Sequence, residues 1–214
     1  HQHLGQNEDA IKCLDKILED TPEHLPTLFK KCKLLVKVGK ITEGIEGLEL
    51  IQSKNREEGD PPAEDILNHI GWSWMQKGEN KKGLEYVEEA LKINLDSDIL
   101  DSKAVALYNL KRYAESKECY EKIFEMDGNE VDREWVGICL REIGRQEEDN
   151  SEKQQKYYED AIKIFDLILE NNKQHSDSWY QKGIINWNLN KFEDAKKCQI
   201  EAIKISPNDA YYWQ

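Results

Sequence analysis

The sequence predicts an all-α chain, an alpha-alpha superhelix: a right-handed solenoid of antiparallel helix pairs. Three observations predict it. Apolar residues recur at spacings of three and four along the whole chain, the period of a helix with one buried face. The five prolines, Pro22, Pro26, Pro61, Pro62 and Pro207, fall in connections or first turns, where a helix tolerates them. The sequence also repeats itself. Trp179 and Trp213, Ala161 and Ala195, Tyr158 and Phe192, and Ala10 and Gly44 are each 34 residues apart, and Gly71, Ala104 and Gly137 follow one another at 33. No run alternates apolar and polar residues long enough to suggest a strand.

The repeat divides one solenoid domain, residues 1–214, into units. Residues 1–24 carry the end of one first helix, closing near Gly5, and a complete second helix that ends before Pro22. Whole units follow at 25–63, 64–97, 98–129, 130–175 and 176–209, and 210–214 begin another first helix. A solenoid needs a polar capping helix at each end. Ends that fall inside repeats are therefore read as those of a fragment of a longer protein.

Small residues mark where paired helices cross. First helices supply Cys32, Gly71, Ala104, Gly137 and Gly183; second helices supply Ala10, Gly44, Gly83, Ser116, Ala161 and Ala195. A helical Gly costs about 1 kcal/mol relative to Ala, so glycines repeated at one phase imply close packing that offsets the cost. Seven residues after Cys32, Gly71 and Gly137 stand Gly39, Gly78 and Gly144, expected to end their helices in a left-handed conformation. Larger apolar residues, among them Leu28, Leu35, Leu48, Ile51, Trp74, Tyr120, Ile123, Phe165 and Ile168, are assigned to the core.

Two insertions break the period. Glu57 to Pro62 lengthens one connection. The second lies near residues 145–156 and adds the polar stretch from Arg145 to Lys156. Ser151 and Gln154 have capping-box spacing, which starts the second helix near Ser151. The added turns are expected to project as a solvated extension or a contact arm.

The order Trp179, Gly183, Phe192, Ala195, Ala202 and Pro207 resembles the tetratricopeptide repeat, a two-helix unit of about 34 residues. The resemblance covers essentially the whole chain. It departs where Lys182 replaces the Leu before the Gly, and where most units lack the final Pro. It implies a protein–protein interaction scaffold that binds a peptide or partner segment on the concave wall formed by the first helices. By phase, that wall is assigned Phe29, Lys33, Lys37, Asn68, Trp72, Met75, Tyr108, Asn109, Arg141, Tyr180, Ile184, Trp187 and Asn188. Some members of the family grip carboxylate termini of chaperones with Lys, Asn and Arg on three successive first helices. Here those places hold Phe29 and Lys33, Asn68 and Trp72, and Asp101 and Val105, so no chaperone partner is expected.

Composition narrows the function further. The formal charge of −13 opposes nucleic acid and anionic membranes, whose phosphates need a basic surface. No stretch approaches the roughly 20 apolar residues that span a bilayer, and His1 to Gly5 do not read as a leader. Cys13, Cys32, Cys119, Cys139 and Cys198 form no CxxC pair, so a reducing, cytoplasmic setting is expected. Cys13, Cys119 and Cys198 share one phase of second helices and read as packing residues. His24, His69 and His175 read as surface or cap histidines. No nucleotide-loop, metalloprotease or nucleophile-elbow motif occurs; catalytic residues, cofactors and metals are all expected to be absent. Other readings are a non-catalytic repeat region of a larger enzyme or regulator, and self-association through open solenoid ends at Leu4 and Trp213.

Overall fold

Eleven α-helices and no strand occur among the described residues of the computed structural model, which are 2–54, 57–148 and 151–209. They form two compact units. Residues 1–110 contain α1 (Gln2–Asp20), α2 (Leu25–Lys37), α3 (Ile41–Ser53), α4 (Ala63–Gln76), α5 (Asn80–Ile93) and α6 (Ser97–Asn109). Residues 111–214 contain α7 (Tyr113–Asp127), α8 (Glu130–Gln146), α9 (Glu152–Asn171), α10 (Ser176–Asn188) and α11 (Phe192–Ile205). The fold is the expected all-α solenoid. Within each unit every helix packs on the next, and successive first helices also touch: α2 with α4, α4 with α6, and α8 with α10.

The first helices α2, α6, α8 and α10, though not α4 behind Pro62, begin with side-chain caps, which satisfy amide groups that a helix start leaves unbonded. His24 Nδ1 accepts from the Thr27 amide at 3.3 Å, Asp96 Oδ1 from Asp98 at 2.9 Å and His175 Nδ1 from Ser178 at 3.2 Å. His24 and His175 are thus the cap residues expected; His69 is not. Three of the passages from first to second helix use main-chain atoms instead. The Gly39 amide donates to Val36 O and the Lys40 amide to Leu35 O. Gly78 and Glu79 repeat this on Met75 and Trp74, and Asn190 and Lys191 repeat it on Trp187 and Asn186. These paired bonds define the Schellman turn, which needs a left-handed residue. Gly39 and Gly78 supply it at φ of 87° and 90°. At the same phase Lys111 (φ 61°) and Asn190 (φ 58°) adopt it without being Gly.

Helix pairs close over the small residues. A Cβ on Gly44 would meet Val36 Cγ2 at 2.6 Å, and one on Gly137 would meet Phe165 Cζ at 2.8 Å. Gly47 presses on the Cys32 sulfur and belongs to the same crossing as Gly44. Around this crossing Leu48, Ile51, Ile66 and Ile70 are fully buried, with Leu28, Phe29, Trp74 and Tyr86 packed against them.

Three expectations need correction. Gly144 ends no helix: α8 continues to Gln146, and Gly144 is buried where a Cβ would meet Tyr158 Cε1 at 2.8 Å. The inserted turns are therefore a pair, not a lone arm. Ser151 does cap α9, accepting from the Gln154 amide at 3.0 Å. Gln154 and Tyr158 are nonetheless buried, Tyr158 against Gly144 in the lengthened end of α8. Nor does Gly5 interrupt the first element, since α1 runs unbroken from Gln2 to Asp20. Finally, only Cys198 of the three same-phase cysteines is buried; Cys119 is half-buried and Cys13 exposed.

Candidate partner-binding surface

The expected wall residues are placed unevenly. In residues 1–110, α2 and α4 enclose a cavity of about 130 Å³. Its lining is Lys33, Val36, Lys37, Leu48, His69, Trp72 and Ser73. Phe29 stands beside it: the Phe29 and His69 rings lie 5.1 Å apart, and Lys33 Nζ is 5.2 Å from the Phe29 centroid. Trp72 keeps 37% of its surface exposed. One turn before it, Asn68 Oδ1 is buried and has no hydrogen-bond partner among the described residues. On α6, Tyr108 is half-buried. The exposed Asn109 donates to Asn80 Oδ1 at 3.2 Å, tying α6 to the start of α5.

Two of the expected wall residues face inward instead. Met75 is 7% exposed and Tyr180 9%. Residues three or four from a crossing point share its face of the helix. Met75 is four after Gly71, and its Cγ occupies the space a Gly83 side chain would need. Tyr180 is three before Gly183 and packs with Ala202, Trp179, Ile184 and Ile203.

Within residues 111–214 the polar wall residues are bound internally. Arg141 pairs with buried Glu142 at 2.5 Å and also donates to Gln181. Arg145 reaches the other Glu142 oxygen at 2.7 Å. Asn188 donates to the Tyr158 hydroxyl at 3.3 Å. Ile184 is half-buried. Trp187 is different: it is 61% exposed, edge-on to Phe192 with centroids 5.0 Å apart. On α8, Glu134 Oε1 is buried without a partner among the described residues, and its other oxygen lies 3.9 Å from His175 Nε2. Burial raises the Glu134 pKa, opposed by His175 and aided by Asp177.

Sequence reasoning missed His69. It is half-buried at the α2–α4 cavity, and burial, reinforced by Lys33 and Lys37, lowers its pKa to about 4. The signal available was its place two residues before Gly71, one residue from the assigned wall position Asn68. A second cavity, of about 500 Å³, was also missed; Trp179, Lys182, Asn186, Lys197 and Glu201 line it together with Ile162. Leu4 and Trp213, the expected self-association residues, lie outside the residues whose side chains are described. No group of three His, Cys, Asp or Glu among the described residues could hold a metal. No described helix is long and apolar enough to cross a membrane.

A family model described as tetratricopeptide repeat matches residues 97–130 and 176–209. Those two segments are thus repeats of the tetratricopeptide type. It is 27% identical over 135 residues to the TPR repeat-containing protein MJ1428 of Methanocaldococcus jannaschii, a match covering 62% of this chain and 23% of that relative. The chain thus spans less than a quarter of that relative's length. Among solved structures, YrrB, described as a TPR protein with an unusual peptide-binding site, superposes with a TM-score of 0.66 at 18% identity. That match covers 94% of this chain and 95% of YrrB. TTC0263, a thermophilic TPR protein of Thermus thermophilus, matches with a TM-score of 0.56 at 20% identity, over 68% of this chain and 75% of that one. These likenesses establish the helical-repeat fold.

Proposed function

We propose that this tetratricopeptide-repeat chain is a non-catalytic interaction scaffold that holds a peptide or partner segment against its first helices. The observation that carries the reading is the exposure of two indoles on those helices, Trp72 at 37% and Trp187 at 61%. Accessible Trp residues are among the side chains most often found anchoring interfaces. Around them the smaller apolar residues Val36 and Ile184 are half-buried, which gives an anchor a firm floor. The description of YrrB as peptide-binding supports the same reading. The net charge of −13 argues against a nucleic-acid partner. Five unpaired cysteines support a reducing, cytoplasmic compartment.

A second reading is favoured by the 23% of MJ1428 that the match covers: a repeat region serving an enzyme or regulator that extends beyond these residues. Both readings assign the same surface to partner contact.

The test is a peptide array and pull-down comparing the natural chain with a Trp72→Ala, Trp187→Ala double variant of unchanged helicity. The expected outcome is loss of most bound peptides. Retention of all of them would show that the first-helix face is not the contact surface.

A further inference from the structure

We propose that the α2–α4 cavity takes one branched aliphatic or phenyl-sized side chain of a peptide whose flanking residues are acidic. This deepens the scaffold reading and rests on it. An apolar cavity of roughly 150 Å³ accommodates a benzene ring, and the cavity here is about 130 Å³. Its lining is mostly apolar: Val36, Trp72 and the fully buried Leu48 face it, beside His69 and Ser73. The space therefore selects one compact apolar group and is too small for an indole.

The rim selects charge. Lys33 and Lys37 line the mouth one helical turn apart. On the same helix Lys31 is neutralised by Asp15 at 2.6 Å. Lys33 and Lys37 have no ion-pair partner among the described residues; Asp65 of α4 feels the Lys33 charge without pairing to it. In a chain with 43 acidic against 30 basic residues, two adjacent lysines without a contacting carboxylate at a cavity mouth are a local inversion of the protein's field. A carboxylate on either side of the anchor meets them. His69, half-buried and within the field of both lysines, has its pKa lowered and serves as a built-in reporter: an anion placed on those lysines shifts its titration upward.

The experiment uses the full chain and three end-capped fluorescent decapeptides: one leucine among three aspartates, the same peptide with alanine for leucine, and the same with lysines for the aspartates. Anisotropy gives the affinities, and the His69 ring resonance is followed against pH with and without the first peptide. Expected are binding of the aspartate–leucine peptide, and weakening of about tenfold or more both for the alanine peptide and for the Lys33→Glu, Lys37→Glu protein. Lys92→Glu, a charge reversal on exposed α5 surface, should leave binding unchanged, and the peptide should raise the His69 pKa. Equal affinity for the aspartate and lysine peptides, or no binding at millimolar peptide, overturns the proposal. If array peptides are still released by the double tryptophan substitution, the first-helix face stands and only the ligand class has failed. If they are not, the face itself is wrong.

Discussion

Gly71 and Gly83 face each other so closely that a Cβ on either would collide with the other's backbone. The distances would be 2.8 Å from Gly71 to the Gly83 carbonyl oxygen and 2.7 Å from Gly83 to that of Gly71. Alanine at either site gains about 1 kcal/mol of helix propensity, but backbone cannot step aside as a side-chain tip can, and overpacking costs about 1–3 kcal/mol. Gly71→Ala and Gly83→Ala should both lower Tm, and Gly71→Leu should lower it further. Gly183 is the control. Its Cβ would meet a flexible neighbour, Gln199 Cγ, at 3.2 Å, so Gly183→Ala should leave Tm unchanged or raise it. Equal effects at Gly71 and Gly183 would show that the close crossing is not what selects glycine.

The left-handed turns allow a prediction of opposite sign. Lys111 holds φ 61°, a conformation that costs an ordinary residue about 1–2 kcal/mol. Lys111→Gly should stabilise the chain by roughly 0.5 kcal/mol after the extra flexibility of the unfolded glycine is deducted. Asn tolerates this region better, so Asn190→Gly should do less. Gly39→Ala and Gly78→Ala should destabilise. Urea unfolding curves read all four.

Glu142 is 5% exposed and holds both Arg141 and Arg145. Removing it strips Arg141, itself 11% exposed at the side chain, of its carboxylate and leaves Gln181 as a neutral acceptor. Glu142→Ala should cost about 3 kcal/mol, as expected for breaking a buried pair from one side. Arg145→Ala, whose side chain is 63% exposed, should cost under about 1 kcal/mol. Similar losses for the two would mean that burial does not govern this network.

His69 sets a pH dependence. Its folded pKa of about 4 lies below the ordinary value of 6.5, so between those values the unfolded chain binds more protons. Stability from this group is complete above pH 6.5 and declines as pH falls towards 4, with a slope approaching about 1.4 kcal/mol per pH unit. The raised carboxyl of Glu134 acts in the opposite sense, so the comparison needs a variant. His69→Phe should narrow its stability gap to the natural chain, or reverse it, as pH drops from about 7 to about 5. A gap independent of pH would place His69 in water.

Much of the fold was legible because it depends on backbone proximity, which only small side chains permit. Gly71, Gly83 and Gly137 were readable on spacing alone, and Ser151 on its partner three residues on. The face of each first helix was less legible. Met75 and Tyr180 lie within a turn or so of the crossing glycines, and a modest rotation of the helix decides whether such a ring or thioether faces solvent or a sister helix. Gly144 misled because the same residue type serves a turn and a close crossing. The lengthened α8 made it the second. His69 went unread because its low pKa depends on Lys33 and Lys37, 36 and 32 positions away, brought near only by folding.

The Schellman bends are closed by amides and carbonyls alone. Lys40, Glu79 and Lys191, which open the helices that follow, make no side-chain cap. Their identity is consequently free of architectural duty. These corners offer places for a dye, a cysteine handle or an altered charge that would leave the stacking undisturbed.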